Sequence, residues 1–135
     1  MQIMAGKKGI IFGVSNKRGL AYAIAQKLYE QGAEIAFTYA GPIMEDRVRP
    51  IATEMNSKLI MYCDVSKEEE IKAVFDAYQT IYGNLDFVVH AVAFANREDL
   101  TGRFVDTSLA GWNLALTVSA YSLVPMARYA EPLMT

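Results

Sequence analysis

One stretch constrains the fold of this chain more than any other, the run from Gly9 to Ala25. It begins apolar with Ile10, Ile11 and Phe12, passes through a small and polar turn from Gly13 to Arg18, and continues as an amphipathic helix from about Gly19. A strand, a glycine-bearing turn and a helix start, in that order, form the local architecture that receives a pyrophosphate. The turn brings bare backbone close to the phosphates, and the helix N-terminus aims free N–H groups and a partial positive charge at them. Lys17 and Arg18 add full positive charge beside the turn. The glycines are not spaced as G-x-G-x-x-G: Gly13 is followed by five residues and then Gly19-Leu20. By itself this stretch also fits an ordinary strand-to-helix connection.

The rest of the chain repeats the theme. Strands are expected at about Gly9–Val14, Glu34–Tyr39, Lys58–Cys63 and Leu85–Val92. The first helix is expected over about Gly19–Gln31, with Leu20, Ile24 and Leu28 on its apolar face and Gly32 as its terminator. A second helix follows Gly41-Pro42 through about Met55, and Pro50 is expected to split or restart it. Ser66 and Glu69 have the spacing of a capping box. The helix they open carries Ile71, Val74, Phe75, Tyr78 and Tyr82 on one stripe and ends at Gly83-Asn84. A charged loop runs from Ala93 to Asp106. A last helix from about Thr107 or Ser108 toward Met134 is apolar on more than one face, with a kink expected at Pro125. Apolar strands joined by helical crossovers predict an α/β fold, a Rossmann-like doubly wound parallel sheet with strand order 3-2-1-4. No composition shift, repeat or linker divides the 135 residues, so one domain is expected.

Composition narrows the function classes. A net charge of −2 gives no basis for nucleic acid or an anionic membrane as partner. The single cysteine, Cys63, leaves no internal disulfide or cysteine-rich metal site and suits a reducing, cytoplasmic setting. With one histidine, His90, a histidine-rich metal site has little material, and a hydrogen-bonded packing role is the plainer reading. Neither a signal peptide nor a transmembrane span is evident in the sequence.

In such a sheet, ligands bind beyond the carboxyl ends of the strands. Four segments are therefore candidates: Gly13–Leu20, Tyr39–Pro42, Asp64-Val65 and His90–Ala95. The acid that commonly binds a ribose 2′-hydroxyl is missing after the second strand, where Tyr39-Ala40-Gly41 stands, and no arginine follows directly to favour a 2′-phosphate. Residue chemistry therefore leaves NAD and NADP both open. Asp64 is placed either to accept from an adenine amino group or to start the turn before Ser66.

The motifs Gly13 to Ala25, Gly32 to Tyr39, Arg47-Val48, Cys63-Asp64-Val65, His90 to Ala95, Gly102 to Ser108 and Ser119-Ala120-Tyr121-Ser122 together cover nearly the whole chain. In them the sequence resembles the N-terminal half of the NADH-dependent bacterial enoyl-acyl-carrier-protein reductases, a divergent branch of the short-chain dehydrogenase/reductases. The resemblance implies an oxidoreductase of fatty-acid biosynthesis that reduces trans-2-enoyl thioesters carried on acyl carrier protein, with NADH as cofactor and NADPH not excluded. It implies a cytoplasmic homo-oligomer, a tetramer. It assigns Gly13, Gly19 and Leu20 to the pyrophosphate turn, Ala40 to the adenosine ribose, Asp64 and Val65 to the adenine, and Val92 to the nicotinamide ribose. Ala95 would contact the acyl substrate. Gly19-Leu20 stands where the family usually has Ser-Ile, Ala40 where glutamine is frequent, and Pro125 is unusual in its helix. The family's catalytic tyrosine and lysine lie on a helix after strand five, and the resemblance puts them beyond Thr135. No tyrosine in the sequence has a lysine four or seven positions further on. The expectation is thus a chain stopping before strand five, inactive alone, with a non-catalytic dinucleotide-binding half-domain as the alternative reading.

Overall fold

The computed structural model describes residues 1–134. Four parallel strands, β1 (Lys8–Phe12), β2 (Glu34–Tyr39), β3 (Ile60–Tyr62) and β4 (Phe87–His90), form one sheet in the order β3-β2-β1-β4. The strand order is the expected one. Strands β3 and β4 are shorter than the apolar runs that encode them. The flanking residues Cys63, Leu85 and Val92 pack on the core from connecting segments.

Period-two alternation in the central strands divides the core into two layers. Ile10, Phe12 and Ala36 face α3 (Glu68–Tyr82) and α5 (Leu123–Ala130). There Phe12 stacks on Phe75, and Tyr78 on Tyr82. Ile11, Ile35 and Phe37 face α1 (Leu20–Glu30) and α2 (Glu45–Glu54) on the other side. The stripe of α3 is the one read from the sequence, with Ile71, Val74, Phe75, Tyr78 and Tyr82 all buried. Each large side chain so buried contributes roughly 1.5–3 kcal/mol.

The apolar face of α1 is a different one from that expected. Ala21 and Ala25 are buried, Leu28 packs at the edge of the core, and Leu20 and Ile24 point outward, Leu20 at 83% exposure. Two alanines let the helix lie close on β1 and β2, and that close approach rotates the larger residues away. Pro50 does not split α2. Asp46, whose carbonyl loses its partner, and Pro50 both face solvent, while Val48, Ile51 and Ala52 hold the helix on the sheet. The helix α3 lacks the expected capping box. Ser66 instead bonds Asp64, Lys67 occupies the cap without a side-chain bond, and Glu70 accepts from the Asp64 N–H at 3.1 Å.

The last helix is broken upstream of Pro125 rather than at it. The Ser108 hydroxyl caps α4 (Leu109–Leu116) by accepting from Gly111 N–H at 3.0 Å. A π-helical turn (Thr117–Tyr121) follows, and then α5, with Pro125 in its first turn, where a missing N–H costs little. As expected from its composition, this segment leaves apolar residues outside: Leu109, Leu116, Leu123 and Val124 are exposed.

Candidate functional site

The carboxyl ends of all four strands open into one cleft of about 680 Å³. Its walls include Gly13, Val14 and Ser15 after β1, Ala40, Gly41 and Met44 after β2, Tyr62, Asp64, Val65 and Ser66 around β3, and Ala91 to Phe94 after β4. Leu114 and Val118 complete it from the α4 side. Of the residues singled out in the sequence, Gly13, Ala40, Asp64, Val65 and Val92 meet here. Gly19, Leu20 and Ala95 are not on its walls.

Gly13 is fixed as glycine for two reasons. Its φ is +107°, and a Cβ would overlap the carbonyl oxygen of Ala91. That overlap arises because β1 and β4 are neighbours: Ala91 N–H donates to Phe12 O at 3.0 Å, so the chains still run side by side past the strand ends. The turn then closes through Asn16, whose Oδ1 accepts from Arg18 N–H at 2.8 Å. Gly19 is the cap of α1 in extended backbone (φ −82°), with no side-chain bond to the first turn. The helix thus presents free N–H groups at the floor of the turn. A turn that opens on a glycine and leads to an uncapped helix start suits a diphosphate. The Leu20 side chain lies in solvent. Lys17 is paired at 3.6 Å with Glu54 of α2, both side chains being more than half exposed.

On the opposite side of β2, Asp64 does what one of its two sequence readings expected. Its Oδ1 accepts from Ser66 Oγ at 2.6 Å and Ser66 N–H at 3.0 Å, starting the turn into α3. The serine hydroxyl holds the Asp64 carboxyl below the ordinary aspartate range, against a smaller opposing effect of burial. The carboxylate still borders the cleft, so the turn and a ligand contact are compatible. Next to it, burial and then the carboxylates of Glu70 and Asp64 push the Cys63 thiol up to about 12. Cys63 is therefore a packed residue, not a nucleophile. Tyr39, on the floor between β2 and α2, is raised by burial and then by Glu45.

The β4 side is held by hydroxyls to which the sequence pattern assigned no role. His90 Nε2 lies 2.8 Å from Ser122 Oγ, which itself donates to Val118 O at 2.7 Å. The serine has one proton, already given to Val118, so His90 donates from Nε2. This is the packing role expected of a lone histidine. Met44, Tyr62, Leu114 and Val118 are wall residues that the sequence did not mark. The available signal was the last helix, apolar on more faces than a sheet can cover. Among the described residues no cluster of acids, histidines or cysteines could hold a metal ion.

A family model described as enoyl-(acyl carrier protein) reductase matches residues 13–135. The enoyl-acyl-carrier-protein reductase (NADH) FabI of Aquifex aeolicus is 42% identical over 134 residues, covering 99% of this chain and 50% of that protein. Its namesake from Bacillus cereus is 42% identical over 137 aligned positions, covering 100% of this chain and 54% of that protein. The crystal structure of the Aquifex aeolicus reductase superposes with a TM-score of 0.93 at 43% identity, over 97% of this chain and 52% of that one. That of the Anaplasma phagocytophilum reductase, in complex with NAD, gives 0.91 at 45% identity, over 96% and 50%. The chain spans about half the length of the curated relatives it matches. A doubly wound sheet, one cleft across its strand ends and this match over nearly every residue lead to the same conclusion: the chain belongs to the enoyl-acyl-carrier-protein reductase family.

Proposed function

We propose that residues 1–135 act as a single dinucleotide-binding domain, the cofactor-holding part of an NADH-dependent enoyl-acyl-carrier-protein reductase of fatty-acid biosynthesis. The observation that carries this reading is the continuity of the cleft, which joins the Gly13 turn to Ala40, Asp64, Val65 and Val92. When bound, the dinucleotide would supply the hydride that reduces a trans-2-enoyl thioester.

The chain's own residues would bind and orient it. Gly13 admits the pyrophosphate to the backbone, and Gly19 and Leu20 offer main-chain N–H groups at the helix start. Ala40 borders the adenosine ribose without a polar contact. Asp64 accepts from the adenine amino group while Val65 covers the ring, and Val92 packs at the nicotinamide ribose. Ala95 lies further along the β4 loop, where an acyl chain carried on acyl carrier protein would pass. Among the described residues no cationic side chain borders the Ala40–Gly41 end of the cleft, which favours NADH and leaves NADPH as a weaker ligand. A cytoplasmic homo-oligomer, a tetramer, is the assembly this reading carries with it.

Titration of the purified chain with NADH and NADPH, following cofactor fluorescence, tests the reading. Saturable binding with NADH preferred is expected, and no binding of either would overturn it. A second reading, a dinucleotide-binding module without catalysis, is favoured for this chain alone by one observation. No tyrosine has a lysine four or seven positions on. NADH oxidation by the chain with an enoyl thioester, above a blank without protein, would refute that second reading.

A further inference from the structure

Beyond β4 the chain leaves the sheet. The Ala91 N–H makes the last bond to β1, yet Ala91 to Phe94 still line the cleft. Strand pairing does not hold Phe94; a side chain does. Phe94 N–H donates to Ser119 Oγ at 3.0 Å, and the same hydroxyl donates back to Phe94 O at 3.2 Å. A serine hydroxyl has one proton and free lone pairs, so one group satisfies both the donor and the acceptor of this residue.

Ser119 lies inside the π-helical turn, closed by Ser122 N–H to Thr117 O at 3.1 Å. Such a turn holds an extra residue, rotates the downstream residues about the helix axis and recurs at functional sites. Here one turn presents three neighbours to the end of β4. Val118 forms cleft wall, Ser119 reaches the main chain of Phe94, and Ser122 reaches His90. The Ser119-to-Ser122 motif of the sequence thereby acquires a role that packing alone does not give it.

We propose that Ser119 is a positioning residue, which through its paired bonds to the Phe94 main chain sets Phe94 at the mouth of the cleft beside Val92. In its ligand-facing consequence this rests on the proposed dinucleotide site, since Val92 and Phe94 border the end opposite Ala40 and Asp64. Ser119 then governs ligands that reach the β4 end and is indifferent to those confined to the adenosine end.

The test compares the wild-type chain with Ser119→Ala and Ser119→Thr, by residue-resolved amide hydrogen exchange and by titration with NADH and AMP. Ser119→Ala is expected to speed exchange of the Phe94 amide roughly tenfold, the loss of one hydrogen bond. It is expected to weaken NADH roughly three- to tenfold and leave AMP within about twofold. Ser119→Thr, which keeps the hydroxyl, is expected to restore all three. Unchanged Phe94 exchange in Ser119→Ala, equal weakening of NADH and AMP, or Thr behaving as Ala would each overturn the proposal. If the wild-type chain binds neither ligand, the proposed function fails, and the exchange arm alone decides whether Ser119 holds Phe94.

Discussion

The two ends of the cleft are built by different means. At β1 the Gly13–Gly19 turn is shaped by main-chain chemistry within a few residues: a positive φ, an Asn16–Arg18 turn bond and a bare helix start. At β4 the walls are held by groups distant in sequence, with Ser119 on Phe94 and Ser122 on His90 across 25 and 32 positions. The comparison teaches that a site can be half local and half assembled. Only the assembled half depends on how the last helix is broken.

The largest effect expected on this comparison comes from Gly13→Ala. The new Cβ meets the Ala91 carbonyl at a φ that L-residues avoid, so a loss of about 3 kcal/mol or more is expected, with loss of dinucleotide binding. Chemical denaturation and NADH titration check it. Gly13 is also where the two halves touch. If its substitution disturbs only the β1 turn and not the Phe94 amide, the halves are more independent than the Ala91 contact implies.

Next in size is Ser122→Ala. It leaves His90 Nε2, at the half-buried end of β4, without its partner and is expected to cost about 1–2 kcal/mol in urea unfolding. A shift confined to the histidine ring signals, without loss of stability, would mean that the β4 half is held by packing rather than by hydroxyls.

A smaller effect concerns pH. Asp64 has its carboxyl depressed first by the Ser66 hydroxyl. Its contribution to stability is present in full above the unfolded aspartate value of about 3.9 and is lost as pH falls through the lower folded value. Ser66→Ala is expected to move the Asp64 carboxyl titration upward and to shrink this acid-side loss, as read by carboxyl NMR across pH 2–6. No upward movement would show that the turn does not depend on that hydroxyl.

The smallest effect is expected at the second glycine of the same turn. A Cβ on Gly19 finds its nearest neighbour, Asn16 O, at 3.8 Å, and φ is negative. Gly19→Ser is therefore expected to stay within about 0.5 kcal/mol of wild type and to bind NADH as well or better, with an N-cap hydroxyl regained. A large loss would show that the turn needs glycine for its main-chain path at both positions.

The fold and the site are legible in the sequence where the determinant is local. The strand order follows from alternation and handedness, α3 from a stripe of five apolar residues, and Gly32 and Gly83 from their terminator positions. The errors share a cause. Leu20 and Ile24 have the right spacing for a buried face, and Ser66 and Glu69 for a box, but spacing does not say which of two neighbouring faces or partners wins. Ala21 and Ala25 win in α1 because small residues allow a closer helix–sheet contact. Asp64 captures Ser66 because its carboxylate, just upstream, takes the serine proton in a charge-assisted bond, and α3 starts one residue later with Lys67 at its cap.

The sequence by itself determined the doubly wound sheet, the strand ends at which the cleft opens and the Gly13 turn, because each rests on period, propensity and backbone freedom over a few residues. Only the tertiary structure decided that Gly13 is excluded from bearing a side chain by Ala91, that Leu114 and Val118 close the cleft, and that a π-turn rather than Pro125 breaks the last helix. These depend on distances between segments dozens of residues apart, which close packing of the whole chain sets and no local pattern encodes.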